Sequence, residues 1–192
     1  TSRGLGDVYK RQVQYYDSIK DIPMQAQAHY YWGCIQRDKS DYPGALKRFF
    51  TAITYAKKTS DYKLAGYIYN NIANLYYSQK LNEQADSIYQ ITEKLAIQEK
   101  DSNLWADVLS QRGMIDIRKG KEYYHKAEQK LLQAFEISHQ TNHRNMMAKT
   151  AYSLSLLYGR MNMGEKAIEF AKLNISNQNN SNVIDRAYLV LG

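Results

Sequence analysis

Small residues recur along this chain at an interval of about forty residues. Within each interval a second small residue follows the first after twelve to fourteen positions. Self-similarity at such an interval indicates a repeat protein, in which neighbouring repeats bury a continuous core between them. The first small position is occupied by Gly33, Ala73, Gly113, Ser155 and Gly192, and the second by Ala45, Ala85, Ala127 and Ala167.

Capping residues divide each interval into two helices. Asp61 and Asp101 lie forty residues apart, and Thr141 and Ser181 continue the series. Side chains of these types accept hydrogen bonds from the free N–H groups of a helix start. Cues for the second helices are Pro43, which suits a first turn, Asn82 as a capping residue, and Gly120 and Gly164 as turn residues. We predict first helices near 24–38, 62–79, 102–119 and 143–161, and second helices near 43–58, 83–99, 122–139 and 165–177.

Large rings surround the small residues, as close helix packing requires. Two helices approach closely only where small side chains meet and large ones interlock. We expect Gly33 and Ala45 to form the near contact inside one pair, with Trp32, Tyr42 and Phe49 around it. The chain contains only 10 Gly and 2 Pro, and it is poor in β-branched runs. This composition favours an all-helical protein over a sheet protein.

The stretch from Trp32 to Ala52 resembles the tetratricopeptide repeat. It contains Trp32-Gly33 and the run YPGALKRFFTA at 42–52; Tyr76 and Tyr158 occupy the tyrosine slot of later repeats, and Gly120 a turn slot. The resemblance implies a right-handed superhelical α-solenoid of antiparallel helix pairs. The repeats are longer than the family's period of about 34 and lack its terminal proline. Ala171 and Asn174 also depart from its pattern. Longer repeats of this kind resemble the sensor regions of bacterial signalling and regulatory proteins.

The repeat boundaries follow from this register. Residues 1–12 form a tail that resembles translated adaptor sequence and is therefore set aside from the fold. The remaining segments are the end of a preceding repeat at 13–23, repeats at 24–60, 61–100, 101–140 and 141–180, and a truncated fifth repeat at 181–192.

Charge and cysteine content restrict the function classes. The net charge is +7, but basic residues are spread along the chain and interleaved with acidic ones. This distribution argues against a nucleic-acid interface, which remains the alternative interpretation. The single Cys34 excludes an internal disulfide. No apolar run reaches the roughly 20 residues of a membrane span, and the sequence assigns no compartment.

The predicted binding groove lies on the concave face, which the first helix of each pair lines. Asn70 and Asn74 are one helical turn apart, and an amide can donate to a peptide carbonyl and accept from a peptide N–H. We hypothesise that they hold ligand backbone while Tyr30, Tyr67 and Tyr77 supply pockets. The alternative is that both amides face water or bond a neighbouring helix. Further groove candidates are Arg37, Ser110, Met114, Tyr152 and Arg160.

Positive charge near the groove suits an acidic or carboxylate ligand. Arg37, Arg118 and Arg160 supply this charge, whereas Asp38 and Asp107 reduce it. Solvated charges at helix ends are the alternative interpretation of the same residues.

Catalytic and metal signatures are weak. His139 and His143 have a spacing that binds metal on one helix, but Thr141 and Asn142 should break that helix, and no third ligand lies nearby. The sequence contains no nucleophile–base pairing and no phosphate-binding loop. We therefore predict no enzyme activity, no metal and no cofactor.

The sequence thus predicts a scaffold that binds a protein or an extended peptide, as part of a larger bacterial signalling protein. Self-association is also expected, because a solenoid cut within its repeats exposes apolar edges. The apolar residues at this edge are Val183, Ile184, Leu189, Val190 and Leu191.

Overall fold

A computed structural model describes residues 2–177, and this part of the chain is helical throughout, with short turns between the helices. The predicted start of a fifth repeat and the apolar edge at 183–191 lie outside the described residues. The elements are α1 (Ser2–Ile19), α2 (Ile22–Asp38), α3 (Tyr42–Lys58), α4 (Tyr62–Ser78), α5 (Asn82–Gln98), α6 (Ser102–Lys119), the 3₁₀ helix η1 (Lys121–Tyr123), α7 (Tyr124–Gln140), α8 (Arg144–Arg160) and α9 (Gly164–Asn177).

The helices pair consecutively within two compact units. Unit 1 ends at Glu99 and unit 2 begins at Lys100. In unit 1, α2 packs on α3 and α4 on α5, while α3 also contacts α4. In unit 2, α6 packs on α7 and α8 on α9, while α7 also contacts α8. Residues 2–177 are therefore all-α, and each unit is built from stacked helix hairpins in the manner of a solenoid, as the repeat pattern predicts.

The turns recur at half the repeat length. Lys20, Ser40, Ser60, Lys80 and Lys100 all have left-handed backbone with φ between 54° and 64°. One left-handed residue is a compact way to end a helix, and the next helix then starts almost at once. The series changes at Gly120, whose φ is 115°, because the extra residues around Glu122 form η1. It resumes at Asn142 and Asn162.

Aspartates start the helices where the sequence indicates them. Asp61 accepts a hydrogen bond from the Leu64 N–H at 2.9 Å, and Asp101 accepts one from the Leu104 N–H at 3.0 Å. Asp41 does the same for α3, whose first turn contains Pro43. Each such cap typically contributes about 1 kcal/mol.

Three other predicted helix signals are wrong. Thr141 follows the end of α7, and the side chain that caps α8 is His143, whose Nδ1 accepts from the Met146 N–H at 3.2 Å. Asn82 is already the first helical residue of α5, which has no side-chain cap. Gly164 starts α9, and the left-handed turn residue before it is Asn162. In each case the turn ends one or two residues away from the expected position.

Helix α1 includes the residues that the sequence sets aside. It runs from Ser2 to Ile19, so residues 2–12 are helical. Val13, in the same helix, is buried. The assignment of residues 1–12 to adaptor sequence, like the repeat boundaries, stays a prediction.

Small and large residues meet at the centre of the α2/α3 and α6/α7 pairs, although the contact differs in detail from the expected one. A methyl group added to Gly33 would lie 2.6 Å from the Phe49 ring, so the close approach is to Phe49 more than to Ala45. The equivalent position in unit 2 is Gly113, where such a methyl would lie 2.7 Å from Leu131. Phe49 and Leu131 are both fully buried. Burial of a side chain of this size contributes about 1.5–3 kcal/mol.

Candidate binding surface

The first helices of adjacent pairs lie side by side in each unit. In unit 1, α2 contacts α4, and in unit 2, α6 contacts α8. We call these two surfaces the α2/α4 face and the α6/α8 face. Every residue that the sequence analysis places in the groove belongs to one of these four helices.

An asparagine joins the two helices of the α2/α4 face. The Oδ1 of Asn71, on α4, accepts a hydrogen bond from the Arg37 guanidinium of α2. Its Nδ2 donates to the Tyr67 carbonyl at 2.9 Å and lies 3.4 Å from the Tyr30 hydroxyl oxygen. Asn71 is only 7% exposed. One buried amide thus determines how Tyr30 and Arg37 are presented on this face.

Arg37 is also paired with its sequence neighbour. Its Nε donates to Asp38 Oδ1 at 2.9 Å, and its other terminal nitrogen lies 2.8 Å from the same oxygen. Each of the three guanidinium nitrogens of Arg37 therefore has a partner in Asp38 or Asn71. The Arg37 and Asp38 side chains are 34% and 60% exposed, so the pair lies at the solvent boundary.

Tyr30 and Cys34 are neutral neighbours on α2. Burial, together with the nearby Cys34, raises the pKa of the Tyr30 hydroxyl. Burial also raises the pKa of the Cys34 thiol, and Arg37 opposes that effect. Both groups therefore stay protonated at neutral pH, and this part of the face offers uncharged hydrogen-bonding groups.

The two predicted backbone-holding amides lie in different surroundings. Asn74 Oδ1 accepts a hydrogen bond of 2.6 Å from the Tyr89 hydroxyl of α5. This is the alternative in which an amide bonds a neighbouring helix. Asn70 is buried, with 8% of its surface exposed, while Tyr67 and Tyr77 are partly exposed. The contact of Asn70 and Asn74 with a ligand stays a prediction.

Sequence reasoning did not select Asn71. A residue adjacent to Asn70 is rotated by about 100° around the helix, and here that rotation turns Asn71 towards α2. Asn71 lies forty residues, or one repeat, after Tyr31 and directly follows the predicted groove residue Asn70. This position was the available signal.

On the α6/α8 face an ion pair joins the two helices, whereas on the α2/α4 face the side-chain amide of Asn71 joins them. Lys149 of α8 pairs with Asp107 of α6, and Arg160 donates to the Ile117 carbonyl at 3.4 Å. Ser110 is fully buried, Met114 packs beside the core of unit 2, and Tyr152 is partly exposed. Of the predicted residues in unit 2, Arg160 is thus exposed, Met114 and Tyr152 are partly exposed, and Ser110 lies beneath the surface.

The described part of the chain lacks the features of a metal site and of a membrane span. Residues 2–177 contain no group of three or more His, Cys, Asp or Glu side chains placed to hold a metal ion. His139 is exposed near the end of α7, and His143 caps α8, so the two histidines have separate positions. Within the same residues no helix has the length and apolar character needed to cross a membrane.

Comparison with known proteins gives a structural match. No protein-family model matches the chain, and no curated protein matches it. The structure is similar to the crystal structure of BtubC (BKLC) from P. vanneervenii, with a TM-score of 0.78 and 16% sequence identity. The match covers 99% of this chain and 78% of that one. The likeness is one of fold. It supports an all-helical repeat architecture for this chain.

Proposed function

We propose that this chain is a protein-binding scaffold of the tetratricopeptide type, which binds an extended peptide or a segment of a partner protein across its first helices. The arrangement of Tyr30, Arg37 and Asn71 on the α2/α4 face carries the proposal. These side chains come from two helices of neighbouring pairs and are held together by hydrogen bonds. A preorganised polar surface of this kind loses little side-chain entropy when a ligand binds.

Tyr67 extends the same surface. It lies one helical turn before Asn71 on α4 and is partly exposed. Tyrosine combines a large apolar ring with a polar hydroxyl and is enriched among the residues that dominate interface energetics. A peptide crossing from α2 to α4 would meet this ring beside the Tyr30 and Arg37 cluster.

The proposed role is binding without catalysis, within a bacterial signalling protein that has further segments. Tyr30 and Cys34 are neutral, and Arg37 is paired with Asp38, so this cluster suits recognition better than proton transfer. Along α2 and α4 with their caps, basic residues alternate with acidic ones, which supports a protein ligand over a nucleic acid.

Selection of peptides from a phage-displayed random library, followed by calorimetric titration, tests the proposal. Replacing Tyr67 by Ala should lower the affinity for the selected peptides by about tenfold, which corresponds to about 1.4 kcal/mol of binding free energy. The matched control is Thr54→Ala, at an exposed position of the second helix α3, and should leave affinity unchanged. Peptides that bind equally well to both variants would remove the α2/α4 face as the binding surface.

A further inference from the structure

We propose that the α2/α4 face selects ligands without net negative charge and recognises them through peptide amides and uncharged side chains. This inference rests on the proposed function and narrows its ligand class. It replaces the expectation that arginines near the groove suit an acidic or carboxylate ligand.

The first argument is that charge cancels along the two helices of this face, counted with the capping residues at their ends. With the residues that flank them, α2 and α4 carry as many acidic as basic side chains, apart from the buried His29. The same two segments otherwise present hydroxyl, amide and thiol groups. A surface without net charge provides no long-range attraction for an anionic ligand. The charged residues are Asp21, Asp38 and Asp61, and Arg37, Lys39 and Lys63.

The second argument is that each guanidinium nitrogen of Arg37 already has a partner within the protein. Two of its nitrogens face Asp38, and the third donates to Asn71. A ligand carboxylate would compete with Asp38 and Asn71 for the nitrogens that form the two-pronged contact between arginine and a carboxylate. It would also approach the Asp38 carboxylate, which has the same sign.

The third argument is that the excess positive charge of unit 1 lies elsewhere. Helix α3, Tyr42–Lys58, contains Lys47, Arg48, Lys57 and Lys58 but no acidic residue. The three lysines are exposed, and Arg48 stacks over the Trp32 ring at 3.4 Å. An acidic ligand drawn by this charge would meet α3 rather than the α2/α4 face.

Matched peptides test the inference. Peptides selected for binding that depends on Tyr67 would be synthesised in two forms, one with Asn, Gln and an amidated end, the other with Asp, Glu and a free carboxylate. Fluorescence polarisation would be measured with the full chain at low and high salt. We expect the neutral form to bind more tightly by at least about fivefold and to respond little to salt, because the interaction lacks a charge pair.

Asp38→Asn supplies the decisive variant. Asp38 is more than half exposed, so the substitution should leave the fold intact, which circular dichroism would verify. It removes the charge that pairs with Arg37. The acidic form should then gain affinity about fivefold and become sensitive to salt. The control is the triple change Lys47→Ala, Lys57→Ala and Lys58→Ala, which should reduce only binding that is independent of Tyr67.

The outcomes separate the two proposals. Acidic peptides that bind the unaltered chain more tightly than their neutral forms, and lose affinity with Arg37→Ala, would overturn the inference while leaving a binding role for this face. An unchanged preference in Asp38→Asn would also contradict it. Failure to obtain any peptide that depends on Tyr67 would remove the proposed function itself, and with it the selectivity.

Discussion

The two units join their first helices through different side-chain contacts. In unit 1 the first helices are joined through Asn71, Tyr30 and Arg37, whereas in unit 2 they are joined by the Lys149–Asp107 pair and by Arg160. Both units keep a small residue against a large buried one at the centre of a helix pair. The difference shows that the repeat constrains helix length and the pair interior, while the groups between first helices vary and set the surface chemistry.

The largest expected effect comes from the pair interior. Phe49→Ala in unit 1 should cost about 3–5 kcal/mol and Leu131→Ala in unit 2 about 2–5 kcal/mol, because each leaves a cavity. Hydrogen exchange read by mass spectrometry would locate the loss. We expect faster exchange in α2 to α4 for the first variant and in α6 to α8 for the second.

The exposed Phe50→Ala is the control for this comparison. It should stay within about 0.5 kcal/mol of the parent chain. Equal acceleration of exchange along residues 2–177 by either core variant would contradict the description of two compact units.

Glycine substitutions should give the next largest effect and should differ between the units. Gly33→Ala places a methyl 2.6 Å from the Phe49 ring, and Gly113→Ala places one 2.7 Å from Leu131. Overpacking of this kind costs about 1–3 kcal/mol. The aromatic ring has fewer ways to move than the leucine, so the unit 1 variant should lose more. Chemical denaturation would rank the two variants.

Gly159→Ala is the control for these glycine substitutions, because it adds a methyl group without steric overlap. Gly159 lies near the end of α8 with open space around it, so alanine should stabilise the helix by up to about 1 kcal/mol. A loss of stability there would indicate that backbone strain, rather than steric overlap, dominates these substitutions.

Acid should weaken unit 1 through His29. Its side chain is 5% exposed, and the ring is stacked on Tyr55 and lies 3.9 Å from Asp17 Oδ1 of α1. Burial lowers the pKa of His29, with a smaller contribution from Arg48 and an opposing one from Asp17. The unfolded chain therefore takes up the proton first as pH falls below about 6.5. As the pH falls further, the free energy of unfolding decreases by at most about 1.4 kcal/mol per pH unit. The decrease stops once the histidine of the folded protein is protonated as well.

Urea titrations at neutral and mildly acidic pH would test this coupling. His29→Gln should flatten the acid-induced loss relative to the parent chain, while the exposed His139→Gln in unit 2 should leave it unchanged. An equal pH slope in the parent and in His29→Gln would assign the acid sensitivity to other groups.

The smallest effect concerns the ion pair of unit 2. A double-mutant cycle on Lys149→Met and Asp107→Asn should give a coupling of about 0.2–1 kcal/mol, since Lys149 is 41% exposed and solvent screens the pair. The coupling should shrink in high salt. A coupling that is insensitive to salt would contradict the description of a solvent-screened ion pair on the α6/α8 face, in contrast to the hydrogen bonds of the α2/α4 face.

Most of the helix pattern was predictable because it depends on local chemistry. Asp61 and Asp101 cap helices at the predicted positions, and the expected helix at 62–79 is observed as Tyr62–Ser78. Prediction failed where a turn ended later than expected, so that His143 caps α8 although Thr141 is the better capping type. It also missed that residues 2–12 are helical, because their two glycines and lack of an apolar stripe gave no helical signal.

The candidate surface was predictable only in part. The sequence placed Tyr30 and Arg37 on the first-helix face, and the structure brings them together around a residue that was not selected. A rotation of one helix by a single residue is enough to move an amide from the groove to a seam, and sequence periodicity does not resolve that rotation.

The sequence by itself determined the all-helical repeat, the near-constant helix length and the small residues that let paired helices approach, because these follow from backbone geometry and steric size over short spans. Only the tertiary structure decided that Asn71 faces Arg37 and Tyr30 while Asn74 bonds Tyr89. These choices depend on the rotation of each helix against its neighbours. That rotation is set by the packing of many side chains distant in sequence.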